Sequence, residues 1–251
     1  MSQLSDVLCL STSEALRCFD RPLLRYLTPH ASVSQWEYAQ NEDEPSSLDV
    51  ALVLLHDYLK PRSQPVHLIG HGTNGLLGIM YARQYPERVR SLTLLSVGAY
   101  PMIDWKVQYY FNRSFLGCGR RALLTQMAIN LFGYRERYWL SGIVDILEKD
   151  LNFSVSPHSL FDRAHLSPAQ VPVPLMVCGS KDDAIVDKTA LREWQSYFKQ
   201  GDRLYECPEG RHFFHYFHPQ DVGEQILSFW QSLPYPSPTL APLEFLAAPI
   251  R

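Results

Sequence analysis

Hydrophobic positions fall along the chain in two alternating textures: short apolar runs of strand length, and longer stretches with apolar side chains three and four apart. Asp6 to Ser11 is the first run and reads as a strand. Ser13 then stands where it would cap a helix from Glu14 to about Tyr26, with Leu16, Phe19, Leu23 and Leu24 on one side. Val33 to Tyr38 alternates with period two and predicts the next strand. Asn41 to Ser47 is acidic and polar, a loop. Leu48, Leu52, Leu55 and Leu59 mark a strongly apolar helix that Pro61 ends.

Val66 to Ile69 is a further strand, and it stops at Gly70-His71-Gly72-Thr73-Asn74-Gly75. A helix is expected from about Thr73 to Gln84, and a strand from Val89 to Val97. From Ala99 to about His165 the texture changes to helical runs rich in Tyr, Trp and Phe, with no strand alternation. These aromatics are expected in that segment's own core, around an apolar ligand cavity, or at a protein interface. Strand texture returns at Pro172 to Cys178. It is followed by a helix at Thr189 to Phe198, an edge strand at Asp202 to Cys207 and a closing helix at Val222 to Leu233. Strands alternating with helices predict the α/β class, with a mostly parallel sheet covered on both faces. Sites in such sheets lie beyond the carboxyl ends of the strands. That places the loops at Ser11-Thr12-Ser13, Gly72, Asp182 and His212 on one edge.

Composition narrows the partners. Twenty-three Lys and Arg against 26 Asp and Glu give a net charge of -3. The longest basic feature is the pair Arg120-Arg121, so nucleic acid is not an expected partner. Five cysteines, at 9, 18, 118, 178 and 207, are odd in number and form no C-x-x-C. A reduced chain without zinc or another cofactor follows as the expectation. No apolar run reaches membrane-spanning length and no signal peptide is evident, so a cytoplasmic location is expected. Gly70, Gly72 and Gly75 formally match G-x-G-x-x-G, but no strand-turn-helix unit opens the chain, and a nucleotide site is not expected.

Three stretches carry a more specific signal. Leu68 to Gly75 looks like the nucleophile elbow written G-x-S-x-G. Pro174 to Val186 is similar to a strand and loop that carry an acid. Gly210-Arg-His-Phe-Phe-His215, followed by Pro219 and a helix to Trp230, resembles a histidine loop. In this order the three resemble the α/β-hydrolase superfamily. The resemblance spans roughly Asp6 to Leu233 and implies that family's fold, trimmed at the N-terminal edge of the sheet. It implies an α/β-hydrolase core at 1–98 and 172–233, a helical cap at 99–171 and a proline-rich tail at 234–251.

Carried over residue by residue, Gly72 stands at the nucleophile position, where the family's chemistry needs a side chain. Glycine suits the strained backbone but offers no reacting atom. Asn74 replaces the second glycine of the motif. The acid is expected at Asp182, with Asp183 as the alternate. It would orient His212 as a base-like residue, while His215 is expected to be structural. Leu10-Ser-Thr-Ser13 takes the place of the family's His-Gly loop. Ser11, Thr12, His71 and Thr73 are expected around the pocket. His71 is expected to pack under the turn, and the Thr73 hydroxyl to cap the helix. The leading expectation is a protein without classical serine-hydrolase activity that binds a small apolar or carbonyl-containing ligand or a protein partner. One alternative is an enzyme using His212 with Asp182 as general base on a small apolar substrate. Another is an esterase with a displaced nucleophile, such as Thr73.

Overall fold

The computed structural model describes residues 4–39, 47–100, 103–155, 168 and 170–234. The acidic loop that begins at Asn41 and the tail after Pro234 lie outside the described residues, save Ser47. Among the described residues six strands form one sheet in the order β2-β1-β3-β4-β5-β6. They are β1 (Leu4–Ser11), β2 (Ala31–Glu37), β3 (Val66–His71), β4 (Val89–Leu95), β5 (Leu175–Ser180) and β6 (Arg203–Cys207). Every pairing is parallel.

Adjacent residues along a strand point to opposite faces, so both faces need apolar side chains. Val7, Ile69, Leu95 and Met176 face helices α1 (Arg21–Leu27) and α8 (Pro219–Ser232). Their neighbours Leu8, Leu68, Leu94 and Leu175 face α2 (Leu48–Leu59) and α3 (Thr73–Gln84). β3 and β5 are buried at every position. The sheet order reverses between β1 and β3, so the loops leaving these two strands diverge and open a crevice at the carboxyl edge.

The apolar period predicts α2 and α3 at the limits observed. Ser47 caps α2 by accepting from Asp49 N–H at 3.1 Å. Elsewhere the limits move for local reasons. Ser13 Oγ accepts from Leu16 N–H at 3.1 Å, but a continuous helix from Glu14 does not form. A 3-10 turn at Arg17–Phe19 comes first and α1 begins at Arg21, because Pro22 lacks an N–H and is tolerated only in a first turn. β5 begins at Leu175 rather than Pro172: Pro174 offers its carbonyl to Leu92 N–H (2.9 Å) but has no N–H to pair. β4 ends at Leu95, where Ser96 turns the chain with φ +50°. Helix α7 (Lys188–Arg192) starts on an Asp187 cap and tightens to a 3-10 turn at Glu193–Tyr197, where buried Trp194 donates to Val97 O at 2.8 Å.

Between β4 and β5 the described residues form three α-helices, α4 (Trp105–Phe115), α5 (Arg120–Phe132) and α6 (Arg137–Phe153). Leu123, Leu124, Met127 and Leu131 of α5 bury against Leu140, Val144 and Leu147 of α6. Aromatic rings join this insertion to the body. Phe132 stacks on Phe213 at 4.4 Å between centroids, and Phe19 packs on both, at 4.8 and 5.0 Å. The aromatics of the insertion thus divide. Trp105, Tyr109 and Phe132 are interior, while Phe111, Phe115, Tyr134, Tyr138 and Phe153 are exposed. Among the described residues no helix is long and apolar enough to cross a membrane.

The Phe19–Phe132–Phe213 stack carries the joint between insertion and body. Phe132→Ala is expected to lower stability by about 3–5 kcal/mol, the usual cost of emptying a buried aromatic site. Urea denaturation checks this, and a loss under about 1 kcal/mol would show that the joint does not depend on that ring.

Candidate functional site

Backbone crowding shapes the turn after β3. A Cβ on Gly70 would lie 2.6 Å from backbone atoms of Asn74 and Gly75, and one on Gly75 would lie 2.5 Å from Val97 Cγ2. Both glycines let the strand and α3 approach each other. Gly72 is different. It holds φ +52°, ψ −124°, which side chains rarely adopt. Yet among the described residues, its chain neighbours aside, the one atom within 4 Å of a Cβ built there is His212 Nε2, at 4.0 Å. Position 72 therefore has room for a side chain facing the histidine, and has none.

The carboxylate that meets His212 is that of Asp183, not Asp182. Asp183 Oδ2 lies 3.0 Å from His212 Nδ1, and both side chains are buried. The other oxygen of Asp183 accepts from Ile185 and Val186 N–H at 2.8 and 3.2 Å, which turns the side chain inward. Asp182 turns outward. It accepts from Ser180 Oγ (2.6 Å) and Arg211 N–H (2.8 Å), with the Arg211 guanidinium beside it. Burial acts to raise the Asp182 carboxyl, but these hydrogen bonds outweigh it and hold the group below the usual range. Counting from Gly179 could not separate two adjacent aspartates, because the difference lies in which one caps the loop's own N–H groups.

With a carboxylate at Nδ1, that nitrogen is the one that donates to Asp183, and Nε2 faces Gly72. The backbone of His212 is clamped: its carbonyl accepts from Ser96 Oγ at 2.8 Å and from His71 Nε2 at 3.0 Å. His71 packs under the turn as expected. Burial, reinforced by His212 and His215, holds its imidazole well below the ordinary value, so it stays neutral. His215 is fully buried and pairs with Asp20 at 3.0 Å, a second histidine–carboxylate pair beneath the first.

The crevice between β1 and β3 is filled by the chain itself. Asn74 Oδ1 accepts from Thr12 N–H at 2.7 Å and from Thr12 Oγ1 at 2.8 Å. The Thr73 hydroxyl does not cap α3 but donates to Asp104 Oδ2 at 3.0 Å, reaching from the elbow to the cap residue of α4. Burial pushes the Asp104 carboxyl up, with Lys106 and its hydrogen bonds working against that. Beside it, Lys106 and Asp150 form an ion pair at 3.1 Å, 3% and 1% exposed. The ammonium's hydrogen bonds go to the carbonyls of Asp150, Ser154 and Val155, so the Asp150 carboxylate accepts none.

What remains above Gly72 is a cavity of about 30 Å³, room for about one or two water molecules. Thr12, His71, Gly72, Thr73 and His212 line it. Ser11 does not; its hydroxyl bonds Ser13 O within its own loop. Asp20, Asp104, Lys106 and Asp150 line it without having been anticipated. They sit far from Gly72 in sequence and match no motif. Among the described residues no three His, Cys, Asp or Glu side chains are grouped to hold a metal ion.

A family model described as the alpha/beta hydrolase family matches residues 15–225. An uncharacterized protein from Synechocystis sp. is 48% identical over 227 residues, 90% of each chain. A putative carbamate hydrolase from Azorhizobium caulinodans is 28% identical over 187 residues, 66% of each. Among solved structures, the enol-lactonase from Burkholderia xenovorans superposes with a TM-score of 0.67 at 19% identity, covering 92% of each chain.

Two measurements probe the elbow and its histidines. Gly72→Ala meets open space, so its cost is the strained backbone alone, about 1–3 kcal/mol; an unchanged denaturation midpoint would contradict the strained turn. For pH, burial lowers His67 of β3 from 6.5 to about 3, and His71 moves the same way. The unfolded chain therefore binds these protons first. Stability is full above about pH 6.5 and falls with acidification toward pH 3, at about 1.4 kcal/mol per pH unit per histidine. Urea titrations at pH 7 and pH 5 should differ by about 2 kcal/mol from His67 alone, a part missing in His67→Gln; a flat profile would contradict neutral burial.

Proposed function

The chain belongs to the alpha/beta hydrolase family, and we propose that it is a member that no longer performs acyl transfer and acts by binding, with a protein as its partner. Gly72 carries this reading. The family's covalent chemistry needs an oxygen, sulfur or carboxylate on the elbow, aimed at the substrate. Here the strained turn persists and the atom is absent. Thr73, the adjacent candidate for a displaced nucleophile, spends its hydroxyl on Asp104 rather than on His212.

The surroundings support the same conclusion. A substrate oxygen entering the crevice finds Thr12 N–H already engaged by Asn74. The cavity of about 30 Å³ is far below the roughly 300–1,000 Å³ typical of small-molecule sites. Widening it on the side of Lys106 and Asp150, which line it, would mean separating that buried pair. A small apolar or carbonyl-containing ligand is therefore disfavoured at this place, and the partner is a macromolecule meeting the outer surface.

One observation favours a second reading. The His212–Asp183 pair is intact, and Nε2 faces the cavity. That is the arrangement of a general base, with Asp183 in the role first expected of Asp182, acting on a water-sized reactant. Relatives and structural neighbours with hydrolytic names, a carbamate hydrolase and an enol-lactonase among them, keep this reading in view.

Hydrolysis of p-nitrophenyl acetate separates the two. The unaltered chain and His212→Ala are expected to give the same rate across pH 5–9, indistinguishable from buffer. A rate that depends on His212 would overturn the binding reading in favour of the general base.

A further inference from the structure

The turn joining α5 to α6 is a basic, aromatic ridge between two open grooves. Gly133 (φ +80°) leads into Tyr134, Arg135 and Glu136, and α6 opens with Arg137 and Tyr138. Tyr134 and Tyr138 are 84% and 92% exposed. On one side lies a groove of about 660 Å³ formed by Tyr134, Arg135, Glu136, Trp139, Tyr216 and Phe217. On the other, a groove of about 650 Å³ runs between α5 and α6 and shares Tyr134, Arg135 and Glu136 with the first.

Ion pairing does not account for the two arginines on this ridge. Among the described residues neither Arg135 nor Arg137 is in an ion pair, whereas Arg121 and Arg211 nearby are paired with Asp145 and Asp182. Arg137 stands in the first turn of α6, which holds no acid and where the helix dipole disfavours a cation. The Arg135 guanidinium lies over the Phe217 ring at 4.5 Å, which holds it in place without neutralising it. Residues 103–155 carry seven Lys and Arg against five Asp and Glu, a local charge of +2 on a chain whose total is -3. The ridge is thus on the basic part of an acidic protein, a field that orients an approaching anionic partner.

From this we propose that the ridge is a docking surface for an acidic, apolar-studded peptide segment of another protein. Its carboxylates would meet Arg135 and Arg137, and its apolar side chains would enter the groove on Trp139 and Phe217. Tyr, Trp and Arg in one patch are the residues that dominate binding energy at protein interfaces, and free guanidiniums bind carboxylates bidentately. The inference rests on the reading that this chain acts by binding.

The test is fluorescence anisotropy with the full chain and a fluorescein-labelled peptide of repeated Glu-Glu-Leu, with a Lys-Lys-Leu counterpart. The acidic peptide should bind and the basic one should not. Arg135→Glu with Arg137→Glu should weaken binding at least tenfold, and Tyr134→Ala with Tyr138→Ala should weaken it too, with melting temperatures unchanged. Failure of the acidic peptide to bind overturns the proposal, as does equal binding by the charge-reversed variant. So do preferential binding to phosphatidylglycerol vesicles and a ridge-dependent dimer of the chain. His212-dependent ester turnover would remove the binding reading without altering the anisotropy, so the two failures are distinguishable.

Discussion

At the turn from Gly70 to Gly75, backbone meets backbone. β3 and α3 approach so closely that a single Cβ at Gly70 would sit inside the first turn of the helix. Gly72 resolves the change of direction with a positive φ. This contact fixes where α3 begins and therefore where Thr73 and Asn74 point. From there, Thr73 reaches Asp104 at the start of α4, and Asn74 reaches Thr12 at the end of β1. One tight turn thus ties the sheet's central crevice to the helical insertion above it.

The contents of the crevice follow from the cost of burying charge. An unpaired carboxylate or ammonium in such a place would be severely penalised. The charged groups are accordingly matched by hydrogen bonds, except the Asp150 carboxylate, which has only its ion pair with Lys106. Asp183 is held by two backbone N–H groups and His212, and Asp104 by Thr73 and Lys106 N–H. Lys106 is held by three carbonyls and Asp150. A network this closed specifies one arrangement, and it leaves little space for a reactant. Above the tight turn at Gly72 the network leaves a gap with room for about one or two water molecules.

How much was legible in the residues varies with the range of the interaction. α2 and α3 could be read at their limits because apolar spacing and capping act within a few residues. Pro22 and Pro174 moved two boundaries by a local rule, the missing N–H, that was open to reading but outweighed by apolar pattern. The turn at Gly72 and the loop at His212 were recognisable as motifs. The choice between Asp182 and Asp183 was not, because adjacent residues differ only in which side of a loop they face.

The sequence by itself determined the alternation of strands and helices, the glycine-rich turn after β3 with Gly72 in it, and the loop that carries His212. Each of these depends on residue type at short spacing. Only the tertiary structure decided what closes the site. Asp20, Asp104, Lys106 and Asp150 come from segments distant along the chain, and no periodicity links them to Gly72. The carboxamide of Asn74 becomes the occupant of the crevice only because β1 and β3 are neighbours in the sheet. Long-range pairing of this kind is a property of the fold's geometry and is invisible in the linear order of the residues.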